Sequence, residues 1–249
     1  MNPWASVTPL PPPIALATGW LQPPGKRGYA TPMSDPFVLI TSNDLDGLRA
    51  ELAHDPELAH ARHPSGASLV AWAAYMGNVG AISAVRACIS ELDPHEAIIL
   101  NDGERLEVAL AGGWDANALS ADGFTPLGLA AFFDNADAFE LLLPLTRDVN
   151  EAAKNPQRVA AIHAATAKRN AVMVEKLLRA GADPNQVQAD GFTPLHAAAM
   201  HGDAAIVGLL LLFGADPGQL SAKNRSAASY AREGGHEWLA ARLEQLAPH

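Results

Sequence analysis

D-G-F-T-P-L-H-A-A-A-M-H-G-D-A-A-I-V-G-L-L-L-L-F-G-A-D-P, running from Asp190 to Pro217, is the stretch whose reading decides the fold. Asp190-Gly191 is a turn dipeptide, in which glycine supplies a positive φ at no steric cost. Thr193 is placed to cap a helix that starts at Pro194, whose missing N–H is not needed there. Leu195, Ala198 and Ala199 line one narrow face until Gly202 breaks the helix. A second helix follows, with Ile206, Val207, Leu209, Leu210 and Leu211 as a broad apolar stripe. Gly214 stands where a helix end wants a left-handed residue, and Asp216-Pro217 begins the next turn. The unit is one turn plus two antiparallel helices, and it cannot bury its apolar faces alone.

Copies of the unit recur at a fixed period. His163, His196 and Ser229 are spaced by 33, as are Gly202 and Gly235. Gly181-Ala182-Asp183-Pro184-Asn185 returns as Gly214-Ala215-Asp216-Pro217, and D-G-F-T-P-L occurs both at Asp122 to Leu127 and at Asp190 to Leu195. A 33-residue period carrying T-P-L-H-x-A resembles the ankyrin repeat, over roughly residues 42 to 246. The resemblance implies an all-α solenoid of helix-turn-helix units with short β-hairpin-like loops. It covers residues 37–249, as about five to six repeats including caps.

It also implies where a partner sits. In this family the hairpin tips and the C-terminal ends of the first helices face a concave groove. Carried over by matched position, the contact candidates are Tyr75 and Met76 in repeat one, and Phe124, Phe132 and Phe133, with Asp122, in repeat three. Lys168 and Arg169, with Gln157, follow in repeat four, and Asp190, Phe192, Met200 and His201 in repeat five. Two adjacent phenylalanines cannot both face a helix core, so one of Phe132 and Phe133 is expected in water, and exposed aromatics suit an interface centre; the alternative is that Phe124 and Phe192 brace the hairpins and only Phe133 is wet. Repeat four is rich in bases (Lys154, Arg158, Lys168, Arg169, Lys176, Arg179) and its neighbours in acids. That band reads either as a docking patch or as faces pairing across repeat boundaries. By the resemblance, His196 bonds Thr193 and the next hairpin; His163 lacks the threonine, because Ala160 stands there.

Composition excludes some classes. The net charge of −10 argues against nucleic acid or an anionic membrane as the main partner. The lone cysteine, Cys88, forms no intramolecular disulfide and reads as a small buried side chain. No apolar run approaches a membrane span, and the first residues lack the pattern of a secretory signal. The default expectation is a cytoplasmic monomer.

Met1 to Pro36 is proline-rich and is expected to be a disordered tail; P-L-P-P-P also suits a polyproline ligand, and M-S-D-P-F-V-L-I at Met33 suits an alternative start. Ser42 to Arg62 opens the fold, with Ser42 or Asn43 capping a helix through Leu45, Leu48 and Leu52. His54, His60 and His63 read as exposed cap residues, the alternative being a metal or acid–base centre. Repeat two keeps two short helices, Pro94–Leu100 and Glu104–Ala111, but lacks T-P-L-H. Repeat three has Gly128 where His196 stands, and Pro144 should stop its second helix. The last repeat carries Glu237, Arg242 and Glu244 on its outer helix, as a terminal cap requires.

No nucleophile elbow, phosphate loop, zinc spacing or dinucleotide fingerprint occurs, so no catalytic, cofactor or metal residue is assigned. The function expected is a non-enzymatic adaptor or inhibitor that grips another protein. An enzyme or metal protein using the N-terminal histidines, and a structural subunit of a larger assembly, are the alternatives.

Overall fold

The computed structural model describes residues 35–247. The tail, the polyproline ligand and the start at Met33 lie outside those residues, apart from Asp35 and Pro36. Pro36 belongs to the fold: it is the first residue of helix α1 (Pro36–Thr41), with Asp35 accepting from the Phe37 N–H at 2.9 Å. Proline at a first helical position loses nothing, because that N–H has no intrahelical partner. The chain divides at Glu91 into two compact units.

The first unit holds α1, α2 (Leu45–His54), a 3₁₀ turn (Pro56–His60), α3 (Leu69–Tyr75) and α4 (Val79–Arg86). α2 is capped by Asp44, one residue beyond the expected caps; its carboxylate accepts from Gly47. α1 packs on α3 and α2 on α4. Phe37, Leu39 and Ile40 are buried, so α1 is an inner helix in its own right. Cys88, expected inside, is half-buried, its Sγ 3.7 Å from the Ala84 carbonyl.

The second unit stacks five helix pairs. They are α5 (Pro94–Ile99) with α6 (Gly103–Ala111), α7 (Pro126–Phe132) with α8 (Ala136–Leu142), and α9 (Ala161–Ala167) with α10 (Ala171–Arg179). Then come α11 (Pro194–Met200) with α12 (Ala204–Leu212), and α13 (Ala227–Glu233) with α14 (Glu237–Leu246). Counting both ends, the described residues hold seven pairs, more than the five or six expected. The inner helices α5, α7, α9, α11 and α13 pack successively on one another. Their small residues permit it: Ala130, Ala131, Ala164, Ala165, Ala198 and Ala199 are all buried.

Outer helices bury one stripe each, such as Met173, Val174, Leu177 and Leu178 in α10. Phe139 and Leu142 in α8 are wholly enclosed, each burial contributing about 2 kcal/mol. Pro144 does end α8, within a 3₁₀ turn at Leu143–Leu145.

Three sets of bonds tie layer to layer. At the loop tips, the N–H groups of Lys154, Ala189 and Ala222 donate to the carbonyls of Gly123, Gln157 and Asp190 at 2.8, 2.9 and 2.8 Å. Behind them, Asn150 donates to the Gly181 carbonyl at 3.1 Å and accepts from the Asp183 N–H at 2.7 Å. Asn185 does the same to Gly214 and Asp216, and Asn117 to Leu145 and Arg147. Imidazoles form the third set. His196 Nε2 bonds the Gln219 carbonyl at 3.0 Å and His163 Nε2 the Gln186 carbonyl at 2.9 Å, while Nδ1 of each accepts from the backbone at its own N-cap.

The degenerate repeat keeps these bonds with different residues. His95 Nε2 reaches the Ala118 carbonyl at 2.7 Å, while Glu96 accepts from the Asp93 N–H. One residue's two jobs are divided between two neighbours.

Candidate functional site

Every inner helix of the repeats stops after about two turns, because the chain must reverse into the outer helix. The C-caps therefore form a row with the loop tips. In the second unit this row holds Phe132 and Phe133 from α7, Lys168 and Arg169 after α9, and Met200 and His201 from α11. Neither phenylalanine is fully exposed: both are half-buried and meet edge to face, with centroids 5.0 Å apart. The expectation that one of the two is exposed is corrected by that pairing, which shields one ring with the other. Lys168 Nζ lies 5.2 Å from the Phe132 centroid, within cation–π range. Lys168 makes no ion pair among the described residues.

Four of its basic companions are engaged elsewhere. Arg169 sits 3.3 Å from Asp203, Lys176 meets Glu140, Arg179 meets Glu175 at 2.7 Å, and Lys154 meets Glu151 at 3.4 Å. Asn170 also donates to Asp134 at 2.6 Å. Of the two readings of the basic band, pairing across the repeat boundary accounts for Arg169 and Lys176. Arg169 adopts φ 59, where its equivalent Gly202 has φ 66. A side chain there costs about 1 kcal/mol or more, so this turn holds an arginine at some expense.

His201 is half-buried, and its Nδ1 is enclosed without a hydrogen-bond partner among the described residues. Burial pushes its pKa down, Arg169 and His236 push it the same way, and Asp203 opposes them.

The remaining candidates have local duties. Tyr75 is buried at 7% exposure, so it belongs to the core and not to a contact surface; Met76 beside it caps α3 half-buried. Phe192 braces its hairpin, with its ring 5.0 Å from Tyr230 and 5.3 Å from His196. Asp190 is exposed at the tip with φ 61. Asp122 accepts from the Ser120 hydroxyl at 2.6 Å, and Phe124 beside it is half-buried.

The N-terminal histidines part company. His54 and His60 are exposed, but His63 is not the exposed cap residue expected: it stacks on Trp72 at 4.2 Å and meets Phe37 at 5.3 Å. Burial lowers its pKa, with Asp35 opposing. Its Nδ1 is held by Ser65 at 2.9 Å. Among the described residues no three His, Cys, Asp or Glu side chains lie close enough to hold a metal ion.

Sequence reasoning missed the asparagine ladder and the pair His95–Glu96. The D-x-N spacing in Asp115-Ala116-Asn117, Asp148-Val149-Asn150 and Asp183-Pro184-Asn185 was the available signal. Each aspartate accepts from the asparagine N–H two residues on and so aims the amide at the next layer.

No curated protein matches the chain. A family model described as ankyrin repeats (3 copies) matches residues 94–188 and 162–245. Repeats of that family are generally protein–protein interaction modules. With the matches spanning more than half of the sequence, and with stacked helix pairs joined at their loop tips, the chain belongs to the ankyrin-repeat family.

Proposed function

We propose that this chain is a non-enzymatic adaptor or inhibitor, acting in the cytoplasm, that grips another protein through the row of C-caps and loop tips of the second unit. The observation that carries the reading is the Phe132–Phe133 pair with Lys168 above it. An aromatic pair at a helix end, topped by a cation whose neighbours are already paired, offers both an apolar anchor and an unspent charge. Met200 and His201 extend the row, and Asp190 marks its acidic edge. A partner segment combining an apolar side chain with a carboxylate satisfies both demands.

The test compares wild type with Phe133→Ala and Lys168→Glu, used separately as bait and read by mass spectrometry. Both variants should keep the helical circular dichroism of the wild type. Each should lose the same captured protein, Lys168→Glu more steeply at low salt. Capture undiminished in both variants removes this row from the binding surface.

A further inference from the structure

A left-handed backbone suits glycine, which has no Cβ, and asparagine or aspartate, whose short side chains bond locally. Among the described residues, every residue with a positive φ is of those three types except Arg158 and Arg169. Both belong to repeat four, one on each side of α9. Arg169 has a reason to be where it is, its ion pair with Asp203. Arg158 has no such partner. It stands exposed at the loop tip with φ 52, where Gly191 and Asn224 hold the matching places 33 and 66 residues on. Its N–H bonds the Asn155 carbonyl at 3.1 Å and the Asn155 side chain at 3.3 Å, which glycine or asparagine could do as well. Its guanidinium meets no carboxylate and no hydrogen-bond acceptor among the described residues.

An arginine held in this conformation, at a cost glycine escapes and with nothing in the chain to bind, is placed for something outside it. A second charge of the same kind lies at the other end of the same helix. Lys168 follows α9 directly, is exposed, and rests over the Phe132 ring without an ion pair among the described residues. The other four bases of repeat four are paired, so its spare charge is confined to the two ends of α9. Around those ends the chain is acidic. Its net charge is −10, and Asp122, Asp134 and Asp190 stand on the adjoining tips and turns. Such a fence repels a continuous polyanion such as nucleic acid, and admits a segment that is acidic only where the two cations lie.

We infer that the partner is met at an acidic segment of protein, with carboxylates on Arg158 and Lys168 and an apolar side chain against the Phe132–Phe133 pair. The inference rests on the function proposed above and adds Arg158 as the residue that selects for the acid. α9 is about 10 Å long, which sets the two acids about 10–15 Å apart, or roughly three or four residues of extended chain.

A phage-displayed library of random short peptides, selected on the full chain, tests it; enriched peptides are then labelled and titrated by fluorescence anisotropy. They should carry two acidic residues with an apolar one between them. Binding should weaken at least about threefold in Arg158→Asn and in Lys168→Ala, and again when salt rises from about 50 to about 300 mM. Arg158→Asn borrows the residue of the matching tip in the last repeat, so its urea midpoint should equal or exceed that of the wild type. A lower midpoint gives the guanidinium a duty inside the fold and overturns the inference. Peptides that lose binding to Phe133→Ala yet bind Arg158→Asn as they bind wild type overturn it while leaving the C-cap row as the binding surface. Enriched peptides without acidic residues, or tighter binding of single-stranded DNA than of any peptide, overturn it too. Peptides indifferent to Phe133→Ala, or no enrichment at all, remove the row and the inference with it.

Discussion

Replacing His163 by glutamine should remove most of an acid sensitivity that this one imidazole gives the fold. His163 is buried, with Nδ1 accepting from the Ala160 N–H at 3.3 Å and Nε2 donating to the Gln186 carbonyl at 2.9 Å. Only the neutral ring can do both, because a proton on Nδ1 would set donor against donor. Burial accordingly pushes its pKa down to about 4, against the partial opposition of the Gln186 bond and of Asp183. In the unfolded chain the same ring titrates near 6.5.

Between those two values the unfolded chain binds a proton that the folded chain refuses, so stability falls as pH falls. The contribution is fully present above about pH 6.5. Roughly 2 kcal/mol of it is gone at pH 5 and roughly 3 kcal/mol at pH 4, at about 1.4 kcal/mol per unit. His163→Gln keeps a side-chain donor but cannot titrate. Urea unfolding of both proteins at pH 7.5 and pH 5 should therefore show the wild type losing about 2 kcal/mol more than the variant. Proton NMR of the His163 ring gives an independent reading, with a midpoint near 4 in the native chain. Parallel pH dependence in the two proteins, or a ring that titrates near its unfolded value, refutes the reasoning.

Asn150→Ala deletes the side-chain bonds to Gly181 and Asp183; it should cost about 1 kcal/mol by urea unfolding at neutral pH, with the far-ultraviolet spectrum unchanged. Gly202→Ala drives a methyl into the His236 ring at φ 66, so it should cost at least about 2 kcal/mol. Adding His236→Ala should recover the steric part and leave only the left-handed cost; if the double variant is no more stable than the single, the clash is not the cause. Loss of one shared partner in both Phe133→Ala and Lys168→Glu is the outcome expected for the C-cap row.

The helix pairs were legible wherever local chemistry repeats. Thr193-Pro194 announces a helix start, and it caps α11 as read. Where the same geometry is built from other residues the motif is silent. Pro36 reads as tail because eight other prolines precede it, although Asp35 caps it and Phe37 and Ile40 are buried after it. His95 lies one position earlier than a histidine of T-P-L-H would, and only the three-dimensional path shows it reaching Ala118. Side-chain surroundings were the least legible part. Nothing adjacent in sequence to Phe132 foretells that Lys168, 36 residues on, covers it, or that Tyr75 turns inward. Such outcomes depend on neighbours a full repeat away.

The ties described between layers each cross one boundary and none reaches past it. Detaching the last helix pair therefore breaks the bonds at Asp216, Gln219 and Ala222 and leaves those at Asp183 and Ala189 intact. The stack is held like a row of cleats, so a layer lost at the end leaves those behind it gripping.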